Sequence, residues 1–336
     1  MLEVGLDTSA LALTRAGTAR YVSELTAALE RVPDVRLHRY GFAGAGRARK
    51  LIRDTAWYLS MLPRRAARDA VDVLHCPTQR APARSPVPLV VTLHDVAVLR
   101  HPDAFNVWTR RYSAAALPRI TRAASRVIVG SEFTRDEVAK LLEIPEEKLR
   151  VIPYGVGGSF LAGDEEQAPV GDYVLAVSTL EPRKNLTRLV EGFRRAGLDG
   201  LELRVVGAEG WGGVRVNGER VRWLGELTDA ELAEQYRGAA AVAYVSLYEG
   251  FGLPVLEAMA SGTSVVAPDG PPFSEFARGI AVGVDPREPD SIANGLREAV
   301  ERRAELGPLG RERAREFSWR RAAEAHVDVY RDAARR

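Results

Sequence analysis

Val242–Ala267 reads VAYVSLYEGFGLPVLEAMASGTSVVA. Val242–Val245 is a short apolar run of strand length. The loop after it carries Gly250 and Gly252. Pro254–Ala260 reads as a helix, with Pro254 suited to a first helical position. Thr263–Ala267 is again apolar and β-branched. Strands that are apolar throughout, rather than alternating, are covered on both faces and belong to parallel sheets. The stretch is therefore one strand–helix–strand unit of an α/β protein.

The same alternation extends in both directions. Upstream in the second half lie strands at Tyr173–Val177 and Leu201–Val206, with helices between. The first half has strands at Leu2–Leu6, Val35–Tyr40, Val71–Cys76, Pro88–Leu93 and Arg126–Val129. Gly17–Arg31 is an amphipathic helix. Thr134 and Glu137 read as a capping box for a helix through Leu142. Leu149–Pro153 leads into the glycine-rich break Tyr154–Gly158 and the polar stretch Gly163–Pro169, where the pattern restarts. Two doubly wound, Rossmann-like domains are expected, over 1–160 and 170–316. Ala304–Glu316 and Phe317–Tyr330 read as closing helices. Ligands in such sheets bind at the carboxyl ends of the strands, which would place a site in the cleft between two facing domains.

Composition agrees with a globular protein. The 336 residues are 46% hydrophobic and 27% charged, with a formal net charge of +2. So small a charge excludes a strong global pull on nucleic acid. Arginines and a lysine cluster locally, at Arg47, Arg49, Lys50 and Arg53, at Arg64, Arg65 and Arg68, and at Arg110, Arg111, Arg119, Arg122 and Arg126. These read as a solvated face, with peripheral contact to an anionic membrane or a phosphorylated acceptor as the alternative. Cys76 is the one cysteine; it reads as a small core residue in a reducing compartment. No signal peptide or spanning segment is recognised, so a cytoplasmic location is expected, peripheral to the membrane at most. A nicotinamide-type Gly-x-Gly-x-x-Gly, a P-loop, His-Glu-x-x-His and paired Cys-x-x-Cys are all missing. GFAGAG at Gly41–Gly46 has the wrong spacing.

Two segments carry the chemistry. In Glu249–Glu257 (EGFGLPVLE), the glycines let backbone amides approach an anion or a sugar closely, and a helix N-terminus favours phosphate. Glu249 lies before that helix and Glu257 in its first turn. Carboxylates there suit hydroxyls better than phosphate: a ribose diol at one end, a sugar at the other. In Leu180–Asn185 (LEPRKN), Arg183 and Lys184 follow a strand and precede a helix, with Asn185 or its neighbour as cap. An Arg-Lys pair alone is an ordinary surface feature. In one domain with EGFG, the pair reads as the neutraliser of a diphosphate. His94 and Asp95 end a strand of the first domain; Asp95 orients His94 or caps the next loop. His38, His75, His101 and His326 read as structural.

These motifs, with Val151–Val156 (VIPYGV), Val91–Asp95 (VTLHD) and Ala16–Tyr21 (AGTARY), resemble the retaining glycosyltransferases of the GT-B fold, family 4 type. The resemblance spans nearly the whole chain. It implies that a C-terminal helix, 317–336, crosses back to the first domain. Arg183 and Lys184 would bind the donor diphosphate, and Glu257 the ribose. Glu249 would contact the donor sugar, aided by amides of Gly250, Phe251 and Gly252, with Leu253 beside them. Gly207, Trp223 and Leu224 would border the base. His94 would hydrogen-bond the transferred sugar. Gly17, Arg20 and Asp95 would lie on the acceptor side. Ala19 stands where the family often has a second glycine. No metal and no cofactor beyond a nucleotide-diphosphate sugar is expected. GDP-mannose is the first expectation for the donor and UDP-glucose the next. The acceptor would be a glycan or a lipid-linked sugar. The rival readings are a nucleotide-sugar epimerase of the same fold and a non-catalytic nucleotide-sugar-binding protein.

Overall fold

Each strand expected from an apolar run is present in the computed structural model, which describes residues 1–12, 17–44, 46, 49, 52–161 and 170–335. Ala16, Arg47, Lys50 and the stretch Gly163–Pro169 lie outside the described residues. The chain divides into two units, Met1–Gly155 with Trp319–Arg336, and Val156–Ser318. Residues 156–160 and 317–318 thus group with the second unit.

The first unit holds β1 (Leu2–Asp7), β2 (Val35–Tyr40), β3 (Val73–Cys76), β4 (Leu89–Leu93), β5 (Arg126–Val129) and β6 (Leu149–Val151). They form one parallel sheet in the order β2-β1-β3-β4-β5-β6. β3, β4 and β5 are buried throughout, as their unbroken apolar runs require. The second unit holds β7 (Tyr173–Val177), β8 (Glu202–Val206), β9 (Val221–Gly225), β10 (Ala241–Ala243), β11 (Val265–Pro268) and β12 (Val282–Val284). These are also parallel, in the order β12-β11-β10-β7-β8-β9. β6, three residues interrupted by Arg150, and β9 and β12 are not expected as strands from the sequence. β9 is a partly exposed edge strand bearing Arg222, and β12 has three residues with a central glycine, so neither makes an apolar run.

Several local expectations change. The cap of Glu132–Leu142 is Ser131, whose hydroxyl accepts from the Thr134 amide at 3.0 Å. Ser131 is extended while Thr134 is already helical, so the proposed Thr134–Glu137 box starts three residues late. Asn185 occupies the cap position of Leu186–Ala196 in a left-handed conformation, but its side chain does not cap the helix. Its amide donates instead to the carbonyls of Val245 (3.1 Å) and Pro286 (2.6 Å). Two of the supposedly solvated arginines are buried. Arg53 pairs with Asp54 at 2.9 Å, and Arg126 is 1% exposed with its Nε 2.6 Å from Asp332. Arg53 begins a helical segment, Arg53–Met61 then Leu62–Arg68, that the sequence reading left unassigned. Cys76 is buried.

The helix Trp319–Ala334 belongs to the first unit and packs on Gly17–Leu29. A buried polar chain ties it to the sheet. His326 Nδ1 lies 2.6 Å from the Ala322 carbonyl, which can only accept, so Nδ1 carries the proton and Nε2 accepts. Its donor is Tyr21 Oη at 2.8 Å. Tyr21 then accepts from Thr92 Oγ1 (3.2 Å), and Thr92 accepts from His75 Nε2 (2.8 Å). His75 Nδ1 is left to accept from Tyr330 Oη at 2.7 Å. One carbonyl thereby sets every proton in the chain, and both imidazoles are neutral. Burial lowers the pKa of His326 to about 4 and that of His75 well below its ordinary value. Among the described residues no helix is long and apolar enough to cross a membrane.

A stability prediction follows from this network. An unfolded His326 titrates near the ordinary imidazole value of 6.5, the folded one near 4. Below that upper value the unfolded chain takes up a proton the folded chain refuses, so stability falls as pH drops. The loss from this group amounts to roughly 3 kcal/mol by about pH 4. In urea titrations, His326→Gln should flatten that acid-side decline; an unchanged slope would contradict the assignment.

Candidate donor site at the switch point of the second sheet

β7 and β10 are neighbours, with β8 and β9 on one side and β11 and β12 on the other. The connections leaving the carboxyl ends of β7 and β10 therefore run in opposite directions, and a crevice opens between them. Arg183 and Lys184 occupy the turn after β7. Ser246–Gly252 follows β10. The two segments are knitted together: the Leu247 amide donates to the Arg183 carbonyl at 2.9 Å, and the Asn185 amide to that of Val245.

At this point four charged side chains meet. Lys184 Nζ lies 2.7 Å from Glu249 Oε1 and Arg183 Nη1 lies 3.0 Å from the same oxygen. Ser246 Oγ donates to it at 2.6 Å. Arg183 Nη1 also donates to the Tyr248 carbonyl (2.6 Å), and Nη2 to Glu181 Oε1 (2.6 Å). Lys184 donates to the Tyr244 hydroxyl at 2.8 Å. Burial alone would raise the pKa of Glu249. The charges of Arg183 and Lys184, with hydrogen bonds from Lys184 and Ser246, outweigh it and hold the carboxyl at about 2. Glu249 is thus an anion across the working pH range, and the two cations are oriented before any ligand arrives. Glu181, Tyr244 and Ser246 were not singled out from the sequence. The place of Glu181 inside LEPRKN, two residues before Arg183, was the available signal for the first.

The glycines are shaped by close approach. Gly252 has φ +102°, and a Cβ on it would lie 2.5 Å from the Phe273 ring. It precedes the helix Leu253–Ala260, whose second residue is Pro254. Gly207, at the end of β8, has φ +147°, and a Cβ there would lie 2.1 Å from the Ser178 carbonyl oxygen at the end of β7. The Gly207 carbonyl accepts from the Trp223 indole N–H at 2.9 Å, although Trp223 is 45% exposed. Phe251 stacks on Phe276, with ring centroids 5.2 Å apart.

Glu257 is placed differently. It lies in the second turn of its helix, 1% exposed, and Oε2 accepts from the Tyr236 hydroxyl at 3.1 Å. The remaining predicted residues belong to the first unit. His94 Nε2 donates to the Pro77 carbonyl (3.1 Å), so Nδ1 accepts from the Tyr154 hydroxyl (2.8 Å). Loss of hydration lowers its pKa. Asp95 Oδ1 accepts from the Ala97 amide at 2.9 Å and so caps the next turn. Gly17 opens the helix Gly17–Leu29, which includes Arg20 and buried Ala19.

Gly252→Ala should lower the unfolding free energy by roughly 1–3 kcal/mol, since it adds a side chain at a positive φ against an aromatic ring. Gly270→Ala, with nothing within 4 Å of the added carbon, should be near neutral. Equal losses in urea titrations would show that the EGFG turn is not the constrained one.

Comparison with known proteins agrees with this architecture. The sequence model described as "Glycosyltransferase Family 4" matches residues 5–157, and that described as "Glycosyl transferases group 1" matches 165–317. The chain is 27% identical over 301 residues to O-antigen chain mannosyltransferase B of Escherichia coli, covering 82% of this chain and 79% of that protein. It is 30% identical over 287 residues to a D-inositol 3-phosphate glycosyltransferase of Actinosynnema mirum, covering 74% and 67%. With the O-antigen chain mannosyltransferase RfbU of Salmonella typhimurium it shares 28% over 215 residues, and spans 59% of that protein's length. Among solved structures, sucrose-phosphate synthase from Thermosynechococcus elongatus superimposes with a TM-score of 0.78 at 19% identity, covering 99% of both chains. Anabaena HepE, solved with UDP and glucose, gives 0.74 at 17%, covering 99% of this chain and 100% of that one. These structures share the GT-B fold with it. By sequence and fold together, the chain belongs to the glycosyltransferases of group 1, family 4 type.

Proposed function

We propose that this glycosyltransferase moves a hexosyl group, mannosyl first, from a nucleoside-diphosphate sugar to an acceptor hydroxyl with retention at the anomeric carbon. The observation that carries the reading is the meeting of Arg183 and Lys184 with Glu249 at the switch point of the second sheet. Mannosyl transfer is supported by the names of the relatives, and a nucleotide-sugar donor by HepE, solved with UDP and with UDP-glucose. GDP-mannose is the first donor to try, then UDP-glucose.

The chemistry follows from charge. The bond between the anomeric carbon and the diphosphate breaks, and negative charge grows on the departing phosphate. Arg183, Lys184 and the helix N-terminus after Gly252 stabilise that charge in a partly dehydrated site. These cations fill the role a divalent metal would otherwise have, so no metal is needed. Glu249, always ionised, accepts from hydroxyls of the donor sugar, Glu257 from the ribose after exchanging its Tyr236 bond, and Trp223 and Leu224 border the base with Gly207. The acceptor oxygen bonds to the anomeric carbon on the face the diphosphate leaves, and its proton passes to the leaving phosphate oxygen. His94, with Gly17, Arg20 and Asp95, serves the transferred sugar and the acceptor. The acceptor is a glycan or lipid-linked sugar, as the O-antigen names of two relatives suggest. Exposed Trp108, beside Arg111, suits peripheral contact with the cytoplasmic membrane surface.

Two measurements test this. A thermal-shift screen should raise Tm with GDP or UDP and with one sugar nucleotide, because a ligand bound only by the native state stabilises it. Lys184→Ala should lower kcat by roughly 10²–10³-fold with unchanged circular dichroism. An undiminished rate, or donor turnover that needs no acceptor, would overturn the assignment.

A further inference from the structure

Glu181 has no role in the reaction outlined above, yet it is placed at considerable cost. Its side chain is 3% exposed, and its Oε1 accepts from Arg183 Nη2 at 2.6 Å. Glu249 holds the other terminal nitrogen of the same guanidinium. Arg183 is therefore gripped by one carboxylate at each end. Orientation alone would need only a neutral acceptor, as the Tyr248 carbonyl provides for Nη1. A carboxylate brings charge as well, and burying one is expensive unless that charge is used. The count is balanced: Arg183 and Lys184 against Glu181 and Glu249, so the four sum to zero.

A neutral quartet has a kinetic meaning at a diphosphate site. Two uncompensated cations in a dehydrated crevice would hold the released nucleoside diphosphate, which is more negative than the sugar nucleotide, more tightly than the substrate. Binding energy spent on product slows turnover when release is limiting. We propose that Glu181 is a built-in counter-anion that offsets Arg183, positions it, and limits retention of the diphosphate product. This rests on the donor-site reading of Arg183 and Lys184. Glu249 does not duplicate the role, because it touches both cations and is the group assigned to the donor sugar.

Burial raises the pKa of Glu181 even though Arg183 and Lys184 lower it, while neighbouring Glu249 opposes them. Glu181 is thus the member of the quartet that takes a proton first as pH falls. Glu249 stays ionised, held at about 2, and Tyr244, whose pKa is raised well above its ordinary value, stays neutral. A sugar nucleotide keeps two negative charges over mildly acidic pH, so a change in its affinity there reports on the protein.

The test uses the full chain, calorimetry and steady-state kinetics. Glu181→Gln keeps an acceptor for Arg183 Nη2 and removes the charge; Glu181→Ala removes both. The expected result for Glu181→Gln is a Kd for GDP or UDP roughly three- to thirtyfold lower than wild type, with kcat reduced and KM for the donor lowered. As pH falls through the raised pKa of Glu181, wild-type affinity for the sugar nucleotide should rise, and Glu181→Gln should show no such rise. Glu181→Ala should lose orientation and raise KM. Weaker diphosphate binding by folded Glu181→Gln would overturn the proposal, as would a pH-independent wild type, an arm that needs no variant. If wild type binds no nucleoside diphosphate at all, the donor-site reading itself fails. If wild type binds and Glu181→Gln matches it, only the role of Glu181 is lost.

Discussion

Lys184 and Glu249 are 65 residues apart in sequence, yet Nζ and Oε1 are 2.7 Å apart. That contact exists because β7 and β10 lie side by side. In this strand order the loop after β7 turns toward β8, and the loop after β10 turns toward β11. The cations come from one loop and the carboxylate from the other. Glu181 pairs with Arg183 within the first loop, and Glu249 from the second supplies the carboxylate beside Lys184, since an unpaired buried ion costs several kcal/mol. The rest of the crevice depends on this pairing. It holds the guanidinium and ammonium apart from bulk water, keeps Glu249 ionised, and brings the EGFG turn against the end of β7.

Two close approaches make the crevice narrow enough to matter. Gly207 lets the end of β8 come within contact of Ser178, and Gly252 lets the EGFG turn pass the Phe273 ring. Asn185 spans the gap from below, donating to carbonyls on two other segments. The backbone is thus held by main-chain and amide bonds, and the charged side chains are left for electrostatics.

The first unit shows a different use of buried polarity. His75, Thr92, Tyr21, His326 and Tyr330 form one hydrogen-bonded chain linking two strands, the first helix and the last helix. Every member is satisfied, so the low local dielectric strengthens the chain rather than penalising it. Arg126 adds a buried cation from β5 to Asp332 on the same terminal helix. These contacts, together with its buried apolar face, specify where Trp319–Ala334 docks on its sheet.

The α/β class and nine of the strands were legible in the sequence, because unbroken Val/Leu/Ile runs can be buried only between helices. The EGFG and PRK turns were legible too, since glycine, proline and clustered charge have local reasons. Edge strands β6, β9 and β12 were not, because a half-exposed or three-residue strand leaves no apolar run. The burial of Arg126 beside Asp332 and the detachment of the Asn185 side chain from its helix were decided by partners far along the chain. So was the pairing of Glu257 with Tyr236, 21 residues apart. Local propensity determines which segments are strands, helices and turns; charge and hydrogen-bond partners depend on which strand ends the sheet order makes neighbours, and that order exists only once the chain has folded.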